Sequence, residues 1–472
     1  MNQDITPGIL ALDPSAAEPF YRQIYERFRY AIAQGVLKPG QRIPSARALA
    51  KELGLARGTV DSAYSLLAAE GYIQPRGQAG TVVSADLKPV SLPVTPPARP
   101  RIAAPASFRP DSVLPFQMGL PALDAFPRKI WARLAARAAR SMQFADMAHP
   151  DVLGLPALRT QIASYLQVSR GIACSPQQVF LTAGYRQSIE LIRYALLQPG
   201  DQVWLENPGY PPSQQLLERM QIATVPVAVD SEGIDVAAGI AAAPYARAAV
   251  VTPAHQSPLC VSLSLPRRQA LLEWAGRSNA WIIEDDYDGE YRYVGRPLPA
   301  LKSLDRPGRV IYSGTFSKVL FPGIRLAYLV VPQPEVARFE EIASIFGCGF
   351  PALTQEIVAA FMAEGHFARH IVRMRKLYGE RRERTAAGLE KVLGARMTID
   401  AQPGGMHLIL RLRQPISDRL LADKMRDSGL FADALSEWIK EGERPQALLL
   451  NFTNVESQLQ AETLAGRILQ LM

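Results

Sequence analysis

The chain has 472 residues, 48% hydrophobic and 20% charged, with a formal net charge of +8. This is the composition of a globular protein large enough for two or three domains, and it excludes collagenous, disordered and disulfide-stapled classes. No apolar run reaches membrane-span length and no basic-then-apolar leader pattern opens the chain. Three scattered cysteines (Cys174, Cys260, Cys348) make neither a disulfide framework nor a metal site. The expectation is a cytoplasmic protein, and the positive charge is compatible with an anionic partner without naming one.

Taken in order, the chain opens with a small module. Phe20, Ile24, Phe28 and Ile32 recur at helical spacing and predict an amphipathic helix over 18–34. Lys38-Pro39-Gly40 is a turn. Ser45 is a candidate N-cap for a short helix over 45–53, which Gly54 ends. A second helix, about 57–70, turns Val60, Tyr64 and Leu67 inward, and Gly71 closes it. Two short β segments around a Gly-bearing turn follow as a hairpin. This is the winged helix-turn-helix layout, in which the later helix enters the major groove. Arg57 and Thr59 at its start, Arg47 before it and Arg76-Gly77 at the wing tip are the candidate contacts. A helical packing domain with solvated arginines is the plainer alternative.

Residues 85–110 hold Pro89, Pro93, Pro96, Pro97, Pro100, Pro105 and Pro110, a composition that favours an extended linker. Beyond it, helical patterns alternate with short apolar strands at 179–182, 202–205, 248–252, 281–284, 310–312 and 326–331. That alternation predicts a mainly parallel sheet wrapped by helices, with ligands at the carboxyl ends of strands. The chemistry-bearing residues do follow strands. Gly184 and Tyr185 open a helix whose N–H groups suit a phosphate. Asp285 could keep a pyridine nitrogen protonated and Tyr287 could reach a ring oxygen; an ordinary acidic loop is the rival reading. Tyr210 could stack on a flat ring or simply be buried in a turn.

In Tyr312-Ser-Gly-Thr-Phe-Ser-Lys-Val-Leu-Phe-Pro-Gly-Ile-Arg325, Lys318 stands among apolar residues, with hydroxyls at Ser313, Thr315 and Ser317 and a guanidinium at Arg325. A desolvated lysine is a nucleophile for an aldehyde, and hydroxyls beside a guanidinium suit a phosphate; together they describe a pyridoxal phosphate site. A solvated loop lysine remains the alternative on these residues alone.

Residues 19–83 resemble the GntR-family DNA-binding domain almost throughout. The matching stretches include Pro19-Phe-Tyr-Arg-Gln-Ile24, Leu37-Lys-Pro-Gly40, Ile43-Pro-Ser-Ala-Arg47, Arg57-Gly-Thr-Val60 and Glu70-Gly-Tyr72. That resemblance implies DNA contacts from Arg47, Arg57, Thr59 and the Arg76-Gly77 turn. Ala56 stands where many members carry serine or threonine. From about 115 onward the chain resembles fold-type-I aminotransferases. The resemblance rests on Glu206-Asn-Pro-Gly-Tyr210, Thr252-Pro-Ala-His-Gln256, Glu284-Asp-Asp-Tyr287, Ser313-Gly-Thr-Phe-Ser-Lys318, Pro322-Gly-Ile-Arg325 and His370-Ile-Val-Arg-Met-Arg375. The combination resembles MocR-type regulators. The implied fold class is α/β: a winged helix-turn-helix (14–84), a Pro-rich linker (85–112) and a fold-type-I aminotransferase-like domain with a mainly parallel sheet (113–472).

The second resemblance implies roles. Lys318 holds the cofactor as an internal aldimine. Asp285 pairs with the ring nitrogen, Tyr287 with the ring oxygen, and Tyr210 stacks. Thr315, Ser317, Arg325 and the Gly184-Tyr185 backbone hold the phosphate. Three departures stand out. Ser257 occupies the place of an asparagine on the ring oxygen, and Leu449 that of the arginine that binds a substrate carboxylate. His149 is the nearest match to a tyrosine that reaches across a dimer. The expectation is a homodimeric regulator binding promoter DNA, with pyridoxal phosphate on Lys318. It senses an amine, amino-acid-like or vitamin B6-type effector, and no metal is expected. An active aminotransferase with a DNA-binding head is the alternative; a regulator with an empty relic pocket is the third reading.

Overall fold

The computed structural model describes residues 12–14, 16, 18–77, 80–85, 113–293, 299–346, 350–400, 404–413 and 416–472. The chain divides into two units near residue 108. Of the expected linker only Ala85 lies among the described residues, and Cys348 lies outside them.

In the first unit, helix α1 (Phe20–Ala33) buries Ile24, Phe28 and Ile32. A two-residue strand β1 (Arg42–Ile43) precedes α2 (Ala46–Leu53). The Ser45 hydroxyl accepts the Ala48 N–H at 3.2 Å, and Gly54 ends the helix in the left-handed region at φ 67°. Helix α3 (Arg57–Ala69) turns Val60, Ala63, Tyr64 and Leu67 inward, and Tyr64 meets Phe28 edge-on at 5.6 Å. Ala56 caps α3 without a side-chain hydrogen bond. Strands β2 (Ile73–Pro75) and β3 (Thr81–Val83) form the expected hairpin, but the sheet has a third strand, in the order β1-β3-β2. Two residues are too few for an alternation pattern, so β1 left no mark in the sequence.

The second unit begins with α4 (Arg128–Ser141) and α5 (Pro156–Arg170). Next come β4 (Val179–Thr182), α6 (Tyr185–Leu196), β5 (Gln202–Asn207), α7 (Pro211–Arg219), β6 (Ala223–Asp230) and β7 (Gly233–Ile234). Then follow α8 (Val236–Ala242), β8 (Ala248–Val251), α9 (Leu265–Ser278), β9 (Trp281–Asp286), β10 (Val310–Thr315) and β11 (Ala327–Val330). These eight strands make one sheet in the order β4-β11-β10-β9-β8-β5-β6-β7. Strands β10, β9, β8, β5 and β6 are mutually parallel, whereas β11 runs antiparallel to both its neighbours. Every residue of β4 and β8 is buried, as a sheet covered on both faces requires.

Helices α10 (Val336–Phe346), α11 (Ala352–Ala363) and α12 (His366–Leu393) lead into a second sheet that the sequence pattern did not reveal. It contains β12 (Met397–Ile399), β13 (His407–Leu412), β14 (Asp433–Ala434) and β15 (Ala447–Asn451), antiparallel in the order β12-β13-β15-β14. Helices α13 (Asp418–Asp427) and α14 (Gln458–Leu471) complete it. Among the described residues no helix is long and apolar enough to cross a membrane.

On α12, buried His370 places Nε2 2.9 Å from the Val319 carbonyl, bracing the segment around Lys318. Burial lowers its imidazolium to about 4. The folded value lies below the unfolded one, near ~6.5. The stability this neutral ring contributes is therefore complete above that pH and is lost as pH falls toward 4. His370→Gln keeps an N–H donor and removes the titration. Its urea-unfolding free energy should drop less than that of wild type over this range, by up to about 3 kcal/mol.

Candidate functional site

Strand ends of the large sheet carry the site. Along β9 side chains alternate between faces, so Glu284 and Asp286 share one side and Asp285 points to the other. Glu284 accepts the Leu301 and Lys302 N–H groups, while Asp286 takes Arg170 and the Tyr312 hydroxyl. The Asp285 carboxyl makes no hydrogen bond among the described residues, and it borders a cleft that opens to solvent. Tyr185, Tyr210, Ser257 and Trp438 also line that cleft. Burial, then the charges of Asp286, Glu206 and Asp288, push the Asp285 carboxyl well above the usual carboxylate range; Lys318 opposes them.

Lys318 lies in the connection from β10 to β11. Its Nζ donates to the Gly119 carbonyl at 3.0 Å. Burial lowers its amine below the ordinary lysine range, against the pull of Asp288 and Asp285. Its backbone is fixed as well: the Tyr291 hydroxyl donates to the Lys318 carbonyl at 3.3 Å. Thr315 accepts the Ser317 N–H at 3.1 Å. Gly119 escaped the sequence reading because a single glycine outside any motif carries no signal. Here φ is 75°, and a Cβ would fall 2.3 Å from the lysine nitrogen. The Asn451 amide donates to the Gln117 and Leu120 carbonyls at 2.9 and 2.8 Å and so holds this segment in place.

Gly184 caps α6 at φ 124°, and a Cβ on it would lie 3.3 Å from an Arg325 guanidinium nitrogen. Arg325 itself adopts φ 51° and is exposed, and its side chain has no hydrogen bond or ion pair among the described residues. The free N–H groups of a helix start therefore face an unpaired guanidinium, an arrangement suited to an anion. The Tyr185 hydroxyl meets Ser213 at 2.8 Å, and its ring meets Tyr210 edge-on at 6.0 Å. Tyr210 is half-exposed and leans on Trp438 at 5.8 Å, an aromatic the sequence reading had not singled out.

Tyr287 places its hydroxyl 3.3 Å from His255 Nδ1. Leu449 is fully buried with Ile409, Leu435 and Ile439, with Met118, Leu259 and Trp438 against them. His149 is exposed. In the first unit Arg47, Arg57 and Arg76 are exposed and Thr59 partly so. Arg57 pairs loosely with Asp61 at 3.3 Å. Gly77 (φ 55°) and Gly80 (φ 89°) shape the turn after Arg76, with the Arg42 guanidinium packed against Gly80.

The arrangement fits pyridoxal phosphate: an amine of lowered proton affinity, a carboxyl lacking a partner, a phenol, and an anion cradle in which a Cβ on Gly184 would crowd Arg325. Comparison with known proteins agrees. The family described as "Aminotransferase class I and II" matches residues 123–440, and "Bacterial regulatory proteins, gntR family" matches 20–83. The chain is 36% identical to the probable rhizopine catabolism regulatory protein MocR of Rhizobium meliloti, over 96% of this chain and 94% of that one. It is 34% identical to the pyridoxine biosynthesis transcriptional regulator PdxR of Corynebacterium glutamicum, over 91% of each. Among solved structures, α-aminoadipate aminotransferase LysN of Thermus thermophilus, complexed with N-(5'-phosphopyridoxyl)-L-leucine, aligns with a TM-score of 0.67 at 25% identity. The alignment covers 76% of this chain and 94% of that one. The chain belongs to the MocR-type GntR-family transcriptional regulators, in which a winged helix-turn-helix precedes an aminotransferase-like domain of the kind that uses pyridoxal phosphate.

Proposed function

We propose that this protein binds promoter DNA through its first unit and senses an amine at a pyridoxal phosphate site in its second. The carrying observation is that the Asp285 carboxyl and the Arg325 guanidinium lack side-chain partners among the described residues, while the buried Lys318 amine has only the Gly119 carbonyl; this one ligand serves all three. When bound, the cofactor supplies an electrophilic carbon and an electron-withdrawing ring. Lys318 provides the nitrogen that holds it, and a ligand amine competes with that nitrogen. Asp285 meets the ring nitrogen, Tyr287 and Ser257 the ring oxygen, and Tyr210 the ring face. Arg325, Thr315, Ser317 and the Gly184-Tyr185 backbone bind the phosphate. Arg47, Arg57, Thr59 and the Arg76-Gly77 turn contact DNA, in a homodimer whose two heads address two half-sites.

Effector binding alters DNA affinity only if the effector distinguishes two conformations of the protein. An amino-acid-like or vitamin B6-type molecule suits the cleft. Transamination is the second reading, favoured by the complete set of Lys318, Asp285 and Tyr287. The apolar packing of Leu449 opposes it, because that side chain cannot pair with a substrate carboxylate. Residues 14–84, 85–112 and 113–472 are the working domain boundaries.

Purified protein should carry the visible absorbance of lysine-bound pyridoxal, and Lys318→Ala should abolish it; a colourless wild type after incubation with the cofactor would refute the site. Arg57→Ala should weaken binding to the protein's own promoter about tenfold or more and leave the absorbance intact. Steady-state amino-group transfer with a panel of amines should show no sustained turnover; sustained turnover would establish the enzyme reading instead.

A further inference from the structure

Five side chains form a second cluster in this unit. His255 and Cys260 follow β8, Tyr287 and Asp288 follow β9, and His407 opens β13. His255 Nδ1 stands 3.2 Å from Asp288 Oδ2 and 3.3 Å from the Tyr287 hydroxyl. Cys260 Sγ lies 3.3 Å from His407 Nε2, which is 2.9 Å from the Pro258 carbonyl. The two imidazole rings are 6.4 Å apart. Asp288 is 1% exposed and His255 6%. Gly405 presses on the ring, since a Cβ there would come within 1.9 Å of His255 Cε1.

Among the described residues neither carboxylate oxygen of Asp288 has a well-aligned hydrogen bond, and His255 Nε2 has no hydrogen-bond partner. A buried carboxylate so poorly served is tolerable only beside a charge. His255 stands at ion-pair distance from it, and it also pulls on the charge of Lys318.

We propose that His255 is a positioning residue for Tyr287: kept as an imidazolium by Asp288, it aims its Nδ1–H between that carboxylate and the phenol oxygen. A phenol that accepts a proton donor becomes a stronger donor itself. Tyr287 then directs its own O–H into the cleft, toward the oxygen of the bound ring; this last clause rests on the cofactor reading above. The surrounding charges keep both the imidazole and the phenol protonated. Burial lowers the His255 imidazolium, but Asp288, and after it Cys260, raise it well above the ordinary range. Burial, Asp288 and Cys260 push the Tyr287 phenol up, Ser257 opposes them, and Asp285 adds to the rise. Burial also raises the Cys260 thiol, yet His407 and His255 draw it down to about 6. Arg292 lines a small cavity together with His255 and Asp288.

The test uses full-length protein labelled with ¹⁵N-histidine, first without cofactor. His255, assigned through His255→Gln, should stay doubly protonated through the range in which an ordinary imidazole loses its proton, and Asp288→Asn should bring its titration back into that range. In cofactor-loaded protein, Asp288→Asn and His255→Gln should each shift the pH midpoint of the visible band upward by about one unit, as a weakened phenol donor leaves more charge on the ring oxygen. A singly protonated His255 in wild type, which needs no variant to observe, overturns the proposal. So does an unmoved band midpoint in both variants. Double protonation in a protein that takes up no cofactor upholds the Asp288–His255–Tyr287 chain and overturns only the ligand assigned to it.

Discussion

One buried guanidinium fixes the geometry on which the cleft depends. Arg170 ends α5 with its side chain 3% exposed, its Nε 2.5 Å from Asp286 and its Nη2 2.9 Å from Glu290. Tyr312 donates to Asp286 at 2.6 Å, Tyr165 donates to Glu290 at 2.8 Å, and the Arg170 carbonyl accepts the Ala300 N–H at 3.1 Å. One side chain thus ties a helix, two parallel strands and the loop beyond them. Breaking such a buried pair from one side costs about 3–5 kcal/mol. Because side chains alternate, holding Asp286 inward obliges Asp285 to face the cleft; a slip of one residue would exchange them.

The same alternation explains why the cleft is electrostatically unfinished. Three groups of β9 have satisfied counterparts or none according to the face they occupy: Glu284 has backbone donors, Asp286 has Arg170, and Asp285 has only the distant field of Lys318. Lysine and carboxyl are each moved toward neutrality by burial. The protein holds its polar groups ready in a partly desolvated place, where they interact strongly with a charged ligand and need little rearrangement to do so.

Much of this was legible in the sequence, for identifiable reasons. The helices of the first unit carry their own punctuation in Ser45, Gly54 and Gly71, and the buried strands are unbroken apolar runs. Gly184, Tyr287 and Lys318 follow strand ends and Asp285 is the penultimate residue of β9, the end of such a sheet where ligands commonly sit. What stayed hidden depends on distant pairing. Strand β1 is too short for a pattern. The second sheet has strands of two to six residues whose central pair, β13 and β15, is distant in the chain, and Leu448–Leu450 could equally have been buried helix. Gly119 matters only because Asn451 delivers it to a lysine 199 residues away. His255 could be named, but nothing in its neighbours announced Asp288 as its counter-charge.

The reversed direction of β11 has a consequence of its own. Most strands of the sheet are joined by helical crossovers, yet β10 and β11 are hydrogen-bonded neighbours, and the Phe316 N–H reaches the Leu326 carbonyl at 3.1 Å. The Lys318 segment is therefore a short loop with both feet in one ladder, not a long excursion. Its backbone freedom is removed when the sheet forms, so ligand capture has little conformational entropy left to remove. Loosening that loop means unzipping the interior of the sheet, and so Lys318 sits in one of the last parts of the unit to open.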